Sequence, residues 1–162
     1  TVNLHPEMPA AVMSDCGQHR YLLSRRLGFS GRVVTFIGLN PSTADATQDD
    51  PTIRRCIGFA KRRDAGMLLM VNLFALRSTD PAGLRVHAAP IGTENDLWIE
   101  HAMSVADIAI AAWGNGGVLL NRSDVVSARY KGRLEAFAIT NAKMPKHPLY
   151  VKSDAQTIPF GA

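Results

Sequence analysis

The sequence predicts an α/β fold, a three-layer sandwich with a four-stranded, mainly parallel central sheet and an N-terminal β-hairpin. Apolar runs of strand length alternate with amphipathic helical segments through the middle of the chain, which is typical of a parallel sheet covered by helices. Residues 33–37 are largely apolar and are followed by Gly38 and Pro41, so they predict a strand that is buried on both faces. We expect the 162 residues to form a single domain with a sizeable core.

The N-terminal part of the chain precedes this central strand. Residues 1–9 contain two prolines and little periodicity, which predicts a loose arm. Residues 11–16 and 20–27 predict two short strands, and the glycine-containing segment between them predicts a hairpin.

A polar loop, residues 41–52, follows the central strand and contains Asp45, Asp49 and Asp50. Loops of this length without regular structure are usually functional or mobile. Asp50 and the proline after it predict the start of a helix, because aspartate is a good N-cap and proline suits the first helical position. We expect this helix to end at Gly66.

The rest of the chain continues the alternation of strands and helices. The helix before the third strand would place Leu97, Trp98, Ala102 and Val105 on its core face. The last residues predict a short tail or edge strand. The predicted elements after the first helix are strands at residues 67–73, 107–112 and 134–139, a short helix after residues 77–81, a helix capped by Thr93 or Asn95 and running to about Ala106, and a helix at residues 118–130.

The composition excludes several classes of protein. The chain has 46% hydrophobic and 20% charged residues, and none of its apolar runs approaches the roughly 18–20 residues of a membrane helix. The N-terminus lacks the layout of a signal peptide, so we expect a cytoplasmic protein without a membrane partner. Cys16 and Cys56 are far apart in sequence and predict neither a disulfide framework nor a metal site.

The chain is basic, with a net charge of +4, and much of the excess is clustered. Clusters of this kind are typical of proteins that bind a polyanion, most often nucleic acid. The alternative is that they form an ordinary solvated helix face. The clustered residues are Arg20, Arg25, Arg26 and Arg32, and then Arg54, Arg55, Lys61, Arg62 and Arg63.

Each predicted core strand is followed by polar residues. If the strands are parallel, these residues lie at one edge of the sheet, where ligands bind in open α/β folds. HExxH, GxGxxG, GxxxxGK[ST] and GxSxG sequences are all absent, so we expect no metal and no cofactor. Amide, hydroxyl and imidazole groups remain, with one carboxylate among Asp45, Asp49 and Asp50 left open. An asparagine can hydrogen-bond to a nucleobase edge, and a histidine can donate to a developing oxyanion.

Four short motifs lie at these strand ends, and they are Gly38-Leu39-Asn40-Pro41-Ser42, Val71-Asn72-Leu73, Ala112-Trp113-Gly114 and His147-Pro148-Leu149. Together they resemble the ordered motifs of the uracil-DNA glycosylase superfamily. In that superfamily a Gly-x-Asp-Pro or Gly-x-Asn-Pro turn positions the attacking water, an asparagine contacts the pyrimidine, and a late histidine stabilises the departing base. Most of the chain from Cys16 onward also resembles the family called domain of unknown function 1643, for which no activity is settled.

The resemblance implies a uracil-DNA glycosylase-like fold and a role for each matching residue. Asn40 would orient the water, Asn72 would hydrogen-bond to the base, and His147 would stabilise the leaving anion. The late motif lacks the serine of the superfamily, which leaves Leu149 or Tyr150 to fill the vacated stack. The candidate residues are Asn40 and His147 for catalysis, Asn72, Phe74 and Leu39 for base binding, and Ser42, Thr43, Arg54, Arg55, Leu149 and Tyr150 for DNA binding.

The function implied is that of a monofunctional DNA glycosylase in base excision repair. It would flip uracil or a modified or mismatched pyrimidine out of DNA and hydrolyse its N-glycosidic bond. DNA would be its partner, and we expect a monomer. Two alternatives stay open, which are an enzyme acting on a free nucleoside, nucleotide or modified base, and a non-catalytic nucleic-acid-binding module. Asn40 and Asn72 can also be simple turn formers, His147 an ordinary loop residue and Trp113 a core residue.

Overall fold

The computed structural model describes residues 7–161, and these residues form an α/β fold around one mixed sheet of seven strands. The spatial order of the strands is β1-β2-β4-β3-β5-β6-β7. Most of the predicted N-terminal arm lies outside the described residues. The strands are β1 Ala11–Met13, β2 Arg20–Arg26, β3 Arg32–Gly38, β4 Ala65–Asn72, β5 Ile108–Ala111, β6 Leu134–Ala136 and β7 Ile158–Phe160, and the helices are α1 Pro51–Arg62, α2 Gly83–Val86, α3 Asn95–Val105 and α4 Arg122–Arg129.

The predicted sheet has too few strands, because four were expected and the sheet contains seven. Strands β4, β3, β5 and β6 are parallel to one another, as expected, but antiparallel strands extend the sheet at both sides. The predicted hairpin of β1 and β2 is present, and β2 also pairs with β4, so the hairpin belongs to the same sheet. At the other edge, the predicted C-terminal strand β7 pairs with β6. Which strands pair with each other depends on contacts between residues that are distant in sequence. The hydrophobic periodicity within one segment does not predict such contacts.

Two groups of apolar side chains cover the two faces of the sheet, because successive residues of a strand point to opposite sides. Helix α1 covers one face with Ile53, Cys56 and Phe59. Helix α3 packs on the other face, together with α2 and α4. The central strand β3 serves both faces, since Val34 and Phe36 join the first group while residues 33 and 37 join the second.

Helix α1 begins as predicted and ends earlier. The Asp50 side chain accepts a hydrogen bond from the Ile53 backbone nitrogen, which is the N-cap interaction expected from the sequence. The helix ends at Arg62, and Asp64 then adopts a left-handed backbone conformation with φ of 58°. Gly66, which we expected to end the helix, is already part of β4.

Helix α3 faces the core with three of the four predicted residues, because Ala102 is buried and Trp98 and Val105 are partly buried against the core. The prediction is wrong for Leu97. Leu97 is 70% exposed, whereas Ile99 and Met103 are buried together with the expected Ala102. The N-cap position is Glu94, so neither Thr93 nor Asn95 caps the helix. The buried Asn95 side chain donates to backbone carbonyls at the end of β4, and these polar contacts fix the rotation of the helix in a way that hydrophobic spacing does not predict.

The helix predicted at residues 118–130 is divided. A 3-10 segment, Asn115–Asn121, comes first, and Leu120 and Asn121 have left-handed backbone conformations before α4 begins. Strand β6 is also shorter than its prediction, because it ends at Ala136. A second short 3-10 segment, Pro148–Tyr150, follows His147. Among residues 7–161, no helix has the length and apolar character that would be needed to cross a membrane.

Thr35 provides a test of the contact between β3 and α3. It is fully buried, and its hydroxyl donates to the Ala102 carbonyl at 3.1 Å, which is one of the last four carbonyls of α3. We expect Thr35→Val to lower the free energy of unfolding by about 1–2 kcal/mol in urea denaturation, because that carbonyl loses its buried donor. The exposed Thr93→Val is the control and should change the value by less than about 0.5 kcal/mol. Equal values for both variants would contradict this account of the contact.

Candidate functional site

A cavity of about 310 Å³ lies at the carboxyl edge of the parallel strands. This volume is at the lower end of the roughly 300–1,000 Å³ typical of small-molecule sites. The structure brings Asn40, Asn72 and His147 together in its lining, as the sequence predicts for their positions; their roles remain predictions. The other lining residues are Arg20, Gly38, Leu39, Pro41, Ser42, Asp50, Thr52, Ile53, Met70, Pro81, Trp113, Gly114, Asn115, Gly116 and Tyr150.

Asn72 is the last residue of β4, and its side chain is buried without a partner. The residue is 1% exposed, and neither Nδ2 nor Oδ1 has a hydrogen-bond partner among the described residues. A Cβ atom at Gly38 would lie 2.7 Å from the Asn72 Oδ1, so the glycine makes room for the amide. A buried polar group without a partner costs about 1–3 kcal/mol, and Asn72 presents both a donor and an acceptor in this state.

Asn40 is held by two backbone carbonyls. Its Nδ2 donates to the Pro41 carbonyl at 3.1 Å and to the Ser78 carbonyl at 2.9 Å. Because both partners are acceptors, the amide nitrogen has to face them, and this fixes the orientation of the amide. The Oδ1 atom is left as an acceptor without a hydrogen-bond partner among residues 7–161.

His147 immediately precedes the second 3-10 segment and is half-buried. Its Nδ1 accepts a hydrogen bond from the Leu149 backbone nitrogen at 3.2 Å, so the proton of the neutral ring is on Nε2. Burial lowers the pKa of His147 below its ordinary value of 6.5, and the negative charge of Asp50 opposes this shift in part. The residue is therefore a neutral N–H donor near pH 7.

Arg20 and Asp50 bring a cation and a carboxylate to the same cavity. Arg20 is 2% exposed, and its Nη1 donates to the Ala44 carbonyl at 2.8 Å. Asp50 is also buried and accepts from the Ala44 and Ile53 backbone nitrogens. Burial lowers the pKa of Arg20 to about 10, although the charge of Asp50 acts to raise it.

The sequence prediction placed Arg20 only in a basic cluster and so missed its position in the cavity. Its position just before the apolar residues Tyr21, Leu22 and Leu23 is the feature that could have shown that it is buried. Of the three aspartates left open by the sequence, the cavity contains Asp50 alone. Asp45 accepts hydrogen bonds within its own loop, and Asp49 pairs with Arg25 at 2.8 Å.

Several predicted site residues lie elsewhere. Phe74, which was predicted to bind the base, is fully buried in the core and does not line the cavity, so this structure places it away from a ligand there. Trp113 lines the cavity, but it is 1% exposed and its indole nitrogen donates to the Ser123 hydroxyl. It is therefore a core residue, which is one of the alternatives that the sequence left open. Thr43 lies instead in a neighbouring surface groove, to which Ser42 also contributes.

Some of the predicted DNA-binding side chains are exposed, and some hydrogen-bond to backbone carbonyls of the protein. Arg54 is exposed and donates to the Asp49 carbonyl, while Arg55 donates to the Val151 carbonyl at 3.0 Å. Leu149 is 41% exposed and Tyr150 is 75% exposed, and only the tyrosine lines the cavity.

Other members of the basic clusters also have internal contacts. Arg25 donates to Asp49 and to carbonyls of the loop that follows β3, and Arg63 pairs with Glu135 at 3.1 Å. A cluster that could hold a metal ion is absent from the described part of the chain.

Residues 20–149 match the family described as "Protein of unknown function (DUF1643)". No curated protein and no solved structure matches the sequence. The matched segment includes every strand of the parallel core and all residues of the cavity except Tyr150. The chain therefore belongs to the DUF1643 family of proteins of unknown function.

Proposed function

We propose that this protein is a DNA glycosylase that hydrolyses the N-glycosidic bond of uracil or of a modified or mismatched pyrimidine. The observation that carries the proposal is the Asn72 amide, which is buried beside a cavity and has both polar atoms without partners. A donor next to an acceptor complements one edge of a pyrimidine base. A role as a turn former would not explain why this side chain is buried and unpaired.

The other groups of the cavity support hydrolysis rather than binding alone. In the proposed reaction, the base is flipped out of the helix into the cavity and Asn72 holds its edge. The Asn40 Oδ1 accepts a hydrogen bond from a water molecule and so aims the oxygen of that water at the anomeric carbon, with which the water oxygen forms a bond as the base departs. As the carbon–nitrogen bond breaks, its electron pair moves to the base, and the Nε2–H of His147 donates to the oxygen that becomes negative. The proton lost by the water passes to solvent or to the released base.

The resemblance to the uracil-DNA glycosylase superfamily also supports the proposal, since the matching motifs supply the cavity side chains of Asn40, Asn72 and His147. In the proposed complex, side chains on the surface around the cavity would also contact DNA. The hydroxyls of Ser42 and Thr43 border the neighbouring groove, where they would contact the phosphate backbone. The exposed Leu149 and Tyr150 side chains would fill the space that the flipped base leaves.

A second candidate function is an enzyme that acts on a free nucleoside or nucleotide in the same cavity. The observation in its favour is that Arg25 and Arg63 pair with acidic side chains, which reduces the charge offered to a DNA backbone, and that the Arg55 guanidinium is held by a backbone carbonyl. Binding to duplex DNA that weakens steeply with added salt would favour the glycosylase, because phosphate contacts release counterions. A free-nucleoside enzyme should bind duplex DNA weakly at every salt concentration.

Cleavage of oligonucleotides tests the proposed reaction directly. Oligonucleotides with uracil, a thymine mismatch or a 5-substituted uracil are incubated with excess protein and then treated with alkali, which cleaves at abasic sites. We expect product from at least one of them and a reduction of at least tenfold in Asn40→Ala and His147→Ala, equivalent to about 1.4 kcal/mol in the activation barrier. The exposed Asn141→Ala and His101→Ala are matched controls and should retain the rate. Absence of an abasic product from every substrate would overturn the proposal.

The variant Asn72→Leu tests whether the Asn72 amide binds a ligand or stabilises the fold. It removes two buried polar atoms without partners, so we expect the free energy of unfolding to stay the same or to rise by about 1 kcal/mol. Uracil binding, measured by calorimetry, should be lost. A large loss of stability in this variant would show that the amide has a structural role instead.

The pH dependence of stability tests the burial of His147. Its pKa in the unfolded chain is near 6.5, and burial lowers the pKa in the folded protein. The unfolded chain therefore takes up the proton first as the pH falls, so the stability present above pH 6.5 is lost as the pH decreases through the folded pKa. We expect His147→Asn, which can still cap the 3-10 segment, to lose less stability than the wild type between about pH 7.5 and about pH 5.5 in urea denaturation. Identical losses would show that His147 titrates as an exposed histidine does.

A further inference from the structure

Among the described side chains that line the cavity, the Arg20 guanidinium is the one cation apart from the titratable His147. It is almost completely buried, which is unusual for arginine unless the side chain is paired. The Nη1 atom donates to the Ala44 carbonyl, while Nε has no hydrogen-bond partner among the described residues. The Nε donor of this buried cation is therefore left without an acceptor among the described residues.

Asp50 does not satisfy this donor, because no hydrogen bond or ion pair joins its carboxylate to Arg20 among the described residues. Both of its carboxylate oxygens accept backbone N–H groups, one from Ala44 and one from Ile53. The ion pairs between described side chains join Arg25, Arg63, Arg122 and Arg129 to acidic residues, and Arg20 is in none of them. Asp50 lowers the electrostatic cost of the buried cation from a distance, and the burial cost of Arg20 still exceeds that benefit.

A purely structural role explains only part of this arrangement. The hydrogen bond to Ala44 connects β2 to the loop that follows β3, and a neutral donor could make it. A full positive charge at the cavity matches an occupant that carries negative charge, because a guanidinium binds carboxylate and phosphate oxygens in a planar, two-pronged geometry. The unpaired donors of Asn72 and Arg20 then border one cavity from β4 and β2, which are neighbouring strands.

We propose that the cavity binds a pyrimidine ligand that carries an anionic oxygen group, and that Arg20 pairs with this group while Asn72 contacts the ring. The proposal rests on the proposed function for the recognition of the pyrimidine. Two sources share this chemistry, which are a carboxylate on the pyrimidine ring of a modified base and the phosphate of a free pyrimidine nucleotide.

Calorimetry with four small ligands tests the charge preference in the wild-type protein. The ligands are uracil, 5-carboxyuracil, uridine and uridine 5′-monophosphate. We expect one anionic ligand to bind at least tenfold more tightly than its neutral counterpart. Tight binding of 5-carboxyuracil indicates a modified base as the source, and tight binding of the monophosphate indicates a free nucleotide. Equal binding within both pairs, or no binding of either anionic ligand, overturns the proposal.

Variants then assign the preference to Arg20. Arg20→Met should bind the neutral and anionic ligands equally, and Arg20→Lys should retain a reduced preference, because lysine keeps the charge but loses the planar geometry. The exposed Arg129, which does not line the cavity, provides the control, because Arg129→Met removes the same charge and should keep the full preference. A preference that persists in folded Arg20→Met, with folding checked by circular dichroism, would assign the anion to another residue.

The outcomes distinguish this inference from the proposed function. If uracil binds and uracil-containing DNA is cleaved, but the anionic ligands have no advantage, the glycosylase proposal stands and the anion proposal is wrong. If the monophosphate binds tightly and no oligonucleotide is cleaved, the anion proposal stands and the glycosylase proposal is wrong.

Discussion

The parallel pairing of β3 with β4 and β5 brings the ends of these strands, and with them Asn40 and Asn72, to one edge of the sheet. In this register Gly38 is opposite Asn72, and Ile37 is opposite Ala111, so the three strands end at the same level. Backbone hydrogen bonds continue beyond the strand ends, from the Leu73 nitrogen to the Gly38 carbonyl and from the Phe74 nitrogen to the Leu39 carbonyl. A shift of one residue in this pairing would turn the Asn72 side chain to the opposite face of the sheet. The cavity therefore depends on register before it depends on any loop.

Some polar side chains around the end of β4 hydrogen-bond to the backbone there, whereas the Asn72 side chain has no hydrogen-bond partner among the described residues. Asn95 and Arg122 donate to the Leu73 carbonyl, and Asn95 also donates to the Asn72 carbonyl at 2.9 Å. The backbone after β4 is thus held by buried side chains from α3 and α4. The Asn95 Oδ1 also lacks a partner among the described residues, but it does not line the cavity. Asn72 differs because both of its side-chain polar atoms are unpaired at the cavity, where a ligand could satisfy them.

The sequence predicted the features that depend on local rules and missed those that depend on distant contacts. The buried strands β3 and β4 and the Asp50 cap follow from apolar runs and capping chemistry, and both are present. The position of Arg20 at the cavity depends on contacts with residues distant in sequence, such as the hydrogen bond from its Nη1 to the Ala44 carbonyl, and the local sequence does not indicate these contacts. Phe74 follows a strand whose last residue reaches the cavity, yet the next side chains turn into the core. The direction of the backbone decides whether a side chain near a strand end faces a cavity or the core. The amino-acid composition of the segment does not predict that direction.

The described residues that line the cavity include no strong nucleophile, so the proposed reaction relies on the positions of neutral groups and on the field of Arg20 and Asp50. Position is maintained by a connection between two loops, because Asn40 donates to the Ser78 carbonyl and the Ser78 nitrogen donates to the Pro41 carbonyl. The segment around Ser78 also leads to Pro81, which lines the cavity. A ligand that displaced this segment would also move the Asn40 amide, and an error of about 1 Å in a reacting group can reduce a rate by roughly a hundredfold. The loop after β4 is therefore as important to the proposed chemistry as the Asn40 turn itself, although it contributes none of the three predicted polar groups.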